Sequence, residues 1–250
     1  MSSGPPEASS PPEASARHPH LAAERAVQGW LRVDCHMHTM WSGDSTTTPD
    51  ELAEAVVASG IDVLCITDHS TISGAVRLKG ELPCQVVVGQ EQRTPEGEVI
   101  GLFLSERIPP GCRAASEAAR FIREQGGIVY VPHPFDPMRH RLGEAALERL
   151  AGEGLVDAIE ARNAKTSLES LNEQASAACG RLGIAAGAGS DAHVPEAIGA
   201  AYVEMPGFGD PAEFLAGLRA GRVVGHHFDS ARPWRARVVP SVRPAPPGAT

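Results

Sequence analysis

Two histidines one residue apart, His36 and His38, end an apolar run in the stretch LRVDCHMHTMWSGD, residues 31–44. Side chains on a strand alternate faces. A strand here therefore projects His36 and His38 to one side and Cys35 and Met37 to the other. Two imidazoles on one side of a strand end can hold one metal ion. Alone, the pair reads equally well as two polar residues at a strand terminus. Its company raises the signal: Asp44, Asp68 and His69, Glu91, His133, and Asp191 with His193 follow downstream, each after an apolar run. Each has a plain structural reading, as a turn residue, a histidine held between prolines, a helix cap or a surface charge. Taken together, the plain readings require a series of coincidences at equivalent positions, and the metal reading is preferred. Imidazole and carboxylate donors without cysteine suit Zn, Mn or Fe(II), and the donor set does not choose among them. The donors exceed the needs of one tetrahedral ion. Two or three ions about 3.5–4 Å apart, as in multi-metal phosphoester sites, would use them.

These residues need elements to position them. Thr48-Pro49-Asp50-Glu51 is a capping box with proline at the first helical position, and the helix it opens stops at Gly60. Apolar runs predict strands at 61–67, 85–89, 128–131, 156–160, 184–189 and 222–225. A short extra strand at 99–104 pairs as a hairpin with the one before it. Helices are predicted at 114–125, 143–151, 167–182 and 211–220. Strands alternating with helices imply a parallel sheet. An open sheet would spread the polar strand ends along an edge. A closed or nearly closed α/β barrel gathers them on one face, where such barrels carry their active sites, and is preferred.

The 250-residue chain has 42% hydrophobic and only 4% aromatic residues, so the core must be aliphatic. Residues 1–28, rich in Pro, Ser, Ala and Glu, read as a disordered tail, with His18 and His20 as bystanders. Residues 29–230 form the expected domain, and 231–250 a Pro-rich tail. The five cysteines form no C-x-x-C pair, which fits a reducing cytoplasm, and no run is apolar and long enough for a signal core or a membrane span. The net charge of -9 argues against binding of long nucleic acid. Oligomeric state is open.

The ordered set D-x-H-x-H-T, S-x-D, I-T-D-H, an isolated Glu, P-H-P and G-S-D-A-H, spread over residues 32–225, resembles the PHP family of polymerase and histidinol phosphatase domains. The resemblance implies a distorted (β/α)7 TIM-like barrel and usually three metals. It assigns His36, His38, Glu91 and Asp191 to a first ion, and Glu91 with His133 to a second. Asp44, His69 and His193 fall to a third. The family often has a histidine about seven residues after the bridging Glu, where this sequence has Glu98. Glu98 is therefore read as an oxygen ligand of the second ion, against an alternative in which it sits in water on a hairpin turn.

The resemblance implies a metal-dependent phosphoesterase acting on a small phosphomonoester through metal-activated hydroxide. Asp68 and His193 are the catalytic candidates: Asp68 would orient a ligand imidazole, and a metal-bound water or a nearby histidine such as His193 would protonate the leaving alkoxide. Asn163 lies where the family often has an Asn, and would fix its loop or bind substrate. Arg139, His140, Arg162 and Lys165 follow strands and would either clamp a phosphate or be solvated charges. Cys35 and Cys65 read as core. Trp41 either walls the pocket or packs under its loop. Two alternatives stand: a nucleotide phosphodiesterase or short-oligonucleotide exonuclease on the same fold, and a noncatalytic metal-binding module.

Overall fold

A computed structural model describes residues 29–228. The expected tails at 1–28 and 231–250, with His18 and His20, lie outside the described residues. Among the described residues the strands are β1 (Trp30–Met37), β2 (Val63–Ile66), β3 (Gln85–Thr94), β4 (Gly97–Leu102), β5 (Ile128–Val131), β6 (Ala158–Asn163), β7 (Ala185–Gly189), β8 (Ala201–Pro206) and β9 (Arg222–Gly225). The α-helices are α1 (Pro49–Ser59), α2 (Ser73–Leu78), α3 (Ala115–Glu124), α4 (Glu144–Gly152), α5 (Glu169–Leu182) and α6 (Pro211–Ala220). The capping box of α1 forms as its sequence dictates. Thr48 accepts from the Glu51 amide while Glu51 accepts from the Thr48 amide, and Gly60 ends the helix at φ 66°.

The strands form one sheet in the order β7-β6-β5-β4-β3-β2-β1-β8-β9. The hairpin expected between the strands at 85–89 and 99–104 forms as β3–β4, while the parallel sheet expected from the rest of the alternation is corrected at β4–β5 and around β8. β4 pairs antiparallel with both β3 and β5, and β8 pairs antiparallel with both β1 and β9. The reason is local: the turn at Pro95-Glu96 is too short for a crossover, so β4 must fold back on β3. β8 and α2 are absent from the sequence reading. β1, β2, β3, β5, β6 and β7 still run the same way, so their C-terminal ends share one face. The sheet curls until β7 meets β1. The Asp191 amide donates to the His36 carbonyl (2.7 Å), the His38 amide to the Ala192 carbonyl (2.9 Å), and Met37 and Ala192 form a parallel bridge.

Alternation within β2 divides the core. Val63 and Cys65 join a cluster with Val33, Cys35, Val87 and Tyr130 that runs through the barrel. Leu64 and Ile66 join the cluster beneath the helices, with Leu52, Val56, Ile122 and Leu147. Cys35 and Cys65 are thus core, as read. The small residues of β7 have a steric reason. A Cβ on Gly187 would lie 2.3 Å from the Tyr130 ring, and one on Gly189 would lie 2.3 Å from the His36 Cβ.

Candidate metal centre

The barrel gathers nine predicted donors on one face. His36 and His38 come from the end of β1, Asp44 and His69 from the following loops, and Glu91 from β3. Glu98 comes from β4, and His133, Asp191 and His193 from segments after β5 and β7. Nε2 of His36 and Nε2 of His38 face each other at 3.1 Å. Glu91 Oε2 lies 3.5 and 3.3 Å from these two nitrogens, and Asp191 Oδ1 lies 3.9 and 3.6 Å from them. On one side, Glu91 Oε1 is 3.2 Å from His133 Nε2, which is 3.9 Å from Glu98 Oε2. On the other, Asp44 Oδ2 is 2.9 Å from His193 Nε2 and 3.3 Å from His69 Nε2. His38, Asp44, His69 and His193 form one donor group, and His36, His38 and Glu91 another.

This arrangement fits metal ions. An ion bound tetrahedrally at about 2.0–2.2 Å sets its donors about 3.4 Å apart, and the measured separations bracket that value. The His133 Nδ1 is buried without a hydrogen-bond partner. His133 and Asp191 hold positive φ values, 28° and 48°, that non-glycine residues seldom adopt. Such strain is concentrated at functional sites and persists only where the surroundings enforce it.

The electrostatics suit cation binding. Burial raises the Asp191 carboxyl, but the charges of Lys165, His36, His193 and Arg139 outweigh it and hold the group well below the usual carboxylate range. Glu91 is likewise held low against its burial by His36 and by hydrogen bonds from His133, His36 and His38. Burial and then the nearby charge of His193 push His38 down to about 3, leaving its ring neutral. Burial and the charge of Glu91 raise Glu98.

Glu98 is buried, 3% exposed, so the reading that puts its side chain in water on a hairpin turn is corrected. The hairpin strands extend to Thr94 and Gly97, and Glu98 falls within β4. Three of the expected substrate residues reach Asp191. Arg139 Nε lies 3.6 Å from Oδ2, Lys165 Nζ lies 3.7 Å from Oδ1, and Asn163 Nδ2 donates to Oδ2 at 3.3 Å. Arg162 does not. It pairs with Glu169 on α5, a correction that follows from its place one residue before the inward-facing Asn163. His140 Nε2 donates to the Thr94 carbonyl at 2.7 Å, which commits that ring nitrogen to the backbone. Asp68 accepts from the amide and hydroxyl of Thr39, both at 2.7 Å, and so fixes the loop after His38 rather than an imidazole, a second correction. His193 Nε2 faces Asp44, while its Nδ1 lies 2.8 Å from the Asp191 carbonyl and 2.9 Å from Lys165 Nζ. Both ring nitrogens are engaged, which suits a ligand better than a proton carrier. Trp41 packs against the outer core cluster.

The sequence reading missed Glu160. Its Oε1 lies 3.1 Å from His36 Nδ1 and accepts from the Tyr130 hydroxyl at 3.3 Å, while Oε2 accepts from the His133 amide (2.8 Å) and Asn163 Nδ2 (2.9 Å). A register shift in β6 lets Glu160 and Asn163, three apart, face the same centre. The run E-A-R-N held this signal, concealed by odd spacing. Ser42 was also missed. Its hydroxyl lies 3.0 Å from His38 Nδ1.

A mixed barrel whose strand ends gather imidazoles and carboxylates into adjoining groups that could hold metal ions defines the class of protein. Comparison with known proteins gives the lineage. Residues 34–91 match the PHP domain model and residues 169–223 match the PHP-associated model. An uncharacterized protein of Methanocaldococcus jannaschii is 40% identical over 127 residues, covering 46% of this chain and 74% of that protein. The chain belongs to the PHP family. The error-prone DNA polymerase of Mycobacterium bovis is 30% identical over 133 residues, 48% of this chain but only 12% of the polymerase. A solved two-domain protein of Bacteroides vulgatus, described as containing a predicted PHP-like metal-dependent phosphoesterase, has the same fold. The TM-score is 0.63 at 18% identity, covering 79% of this chain and 65% of that one. No helix among the described residues is long and apolar enough to cross a membrane.

Proposed function

We propose that this protein is a metal-dependent phosphoesterase that hydrolyses a small phosphomonoester. The observation that carries the reading is the set of adjoining donor groups that share His36, His38, His69 and Glu91, with the cationic Arg139 and Lys165 beside Asp191. His36, His38, Glu91 and Asp191 would hold a first ion. Glu91, His133 and Glu98 would hold a second, and Asp44, His69 and His193 a third. Ions such as Mn, Zn or Fe bound there would activate water and neutralise charge developing on the phosphoryl group. The protein's own part is orientation. Glu160 fixes the His36 ring, Ser42 the His38 ring and Asp68, through Thr39, the loop after His38, while Arg139 and Lys165 offer cationic donors to a phosphate entering beside Asp191. The cysteines are all unpaired, in keeping with a reducing, cytoplasmic setting.

The similarity to an error-prone DNA polymerase favours a second reading, a phosphodiesterase acting on a nucleotide or short oligonucleotide. One assay series separates the readings. Metal-reconstituted protein is offered p-nitrophenyl phosphate, bis-p-nitrophenyl phosphate, a phosphometabolite panel and a short oligonucleotide. Preferential turnover of monoesters supports the first reading and of diesters the second. Absence of turnover with bound metal leaves the noncatalytic module.

A further inference from the structure

On one side of the centre, two carboxylates, Glu91 and Glu98, face one imidazole, His133. Glu98 also forms a donor group with His69 and Glu91. Its two oxygens are used differently. Oε2 points toward His133, while Oε1 accepts from both Nε (3.1 Å) and Nη2 (2.9 Å) of Arg93. Arg93 and Glu98 are direct cross-strand partners on β3 and β4. The Arg93 side chain is 66% exposed and that of Glu98 only 4%, so the guanidinium covers a buried carboxylate from the solvent side.

The hairpin that carries the pair is fixed from several directions. The Glu98 amide donates to the His140 carbonyl at 2.9 Å. Glu96, in the turn, accepts from Arg149 Nη2 at 2.5 Å and from the Ala115 amide at 2.8 Å. The geometry of the pair is therefore set by the fold. An exposed ion pair contributes little to stability. Here its consequence falls on the donor set, because the engaged oxygen is the one a second bond to an ion would require.

We propose that Arg93 is a specificity-determining residue for the metal held by Glu91, His133 and Glu98. By engaging Oε1 it limits Glu98 to one oxygen and offsets one of two adjacent negative charges. A single carboxylate oxygen beside an imidazole suits a small, low-coordinate ion. A free carboxylate that can bind through both oxygens, with its charge uncompensated, suits a larger oxygen-preferring ion such as Mn²⁺. Arg93 thus restrains the preference for Mn²⁺ that two carboxylates would otherwise impose. The inference rests on the metal reading given under Proposed function.

The test is calorimetric titration of Mn²⁺ into metal-stripped full-length protein, without substrate, with circular dichroism to verify folding. Arg93→Gln is expected to tighten Mn²⁺ binding about fivefold or more, within the coupling seen between contacting residues. In a Glu98→Gln background the same change is expected to shift affinity by less than about twofold. Arg93→Lys keeps the charge but not the planar fork, and should fall between wild type and Arg93→Gln. Unchanged or weaker Mn²⁺ binding in Arg93→Gln, or an equal change in both backgrounds, overturns the role of Arg93. Wild-type protein that takes up none of Mn²⁺, Zn²⁺ and Fe²⁺ overturns the metal reading itself, so the two failures are distinct.

Discussion

The Glu160 carboxylate lies 3.1 Å from Nδ1 of His36, and its second oxygen accepts the His133 amide at 2.8 Å. One buried acid thus orients donors on two sides of the centre. It holds the His36 ring with Nε2 turned toward His38 and Glu91, and it holds the backbone of His133 at its positive φ. Partners of this kind fix ring tautomer and direction. Glu160→Gln keeps the volume but offers a single acceptor oxygen to four donors. Metal affinity is expected to fall about 10–100-fold, with the fold retained. Metal titration of stripped protein, read beside its melting curve, checks this. Equal affinity in the two proteins would remove Glu160 from the metal centre.

Gly189 should tolerate no side chain. A Cβ there would lie 2.3 Å from the His36 Cβ and 2.6 Å from Glu160 Oε1, with the His36 backbone nitrogen at 2.9 Å. Neither the backbone nor a ring held on both sides can move aside cheaply. Gly189→Ala is expected to cost about 1–3 kcal/mol through overpacking and to weaken metal uptake at the same time. Denaturant unfolding of the two proteins measures the first, and metal analysis the second. Wild-type stability would mean that β7 shifts freely.

Much of the site was legible because its donors sit where periodicity is simple. The H-x-H pair, T-D-H and G-S-D-A-H each end an apolar run, and same-direction strands bring such ends to one face. What escaped reading depended on departures from regular spacing or on tertiary pairing. Glu160 was concealed because the shift in β6 breaks the two-residue period that would have set it opposite Asn163. β8 was missed because Ala201–Pro206 carries Glu204 and ends on a proline, and its pairing partner, β1, lies far away in sequence. Arg162 and Arg139 look alike in the sequence. Only the fold shows that one is tied to Glu169 while the other turns to Asp191.

The shared donors set the expected stoichiometry. Glu91 oxygens lie 3.2–3.5 Å from ring nitrogens of His36, His38, His69 and His133, and these donors fall into separate groups. Reconstituted protein is expected to carry about two to three ions per chain. Elemental analysis giving less than about one ion per chain would exclude a polynuclear centre. His38, which faces both the first and third donor groups, is the position where one change should lower the count most. His38→Ala is expected to lose more than one equivalent.

Arg139 and Lys165 give the sharpest contrast with Arg162. Arg139 Nε is buried without a hydrogen-bond partner, 3.6 Å from Asp191 Oδ2, and Lys165 Nζ lies 3.7 Å from Asp191 Oδ1. Both cations therefore stand beside the acid that would hold the first ion, where a phosphate would enter. Arg162 lies on the same stretch as Lys165 but is committed to Glu169, an exposed acid. A charge-assisted hydrogen bond to substrate contributes about 1.5–3 kcal/mol, or about 10–100-fold in kcat/KM. Arg139→Ala and Lys165→Ala are each expected to show a loss of that size for a phosphomonoester, expressed mainly in KM if they serve binding. Arg162→Ala is expected to change kcat/KM by less than about twofold, since an exposed ion pair contributes little. Steady-state kinetics on the three variants, with metal content matched, decides between a phosphate clamp and a charge balance internal to Asp191. Weaker metal uptake by the stripped variants, with KM unchanged once metal content is matched, would assign Arg139 and Lys165 to Asp191 alone.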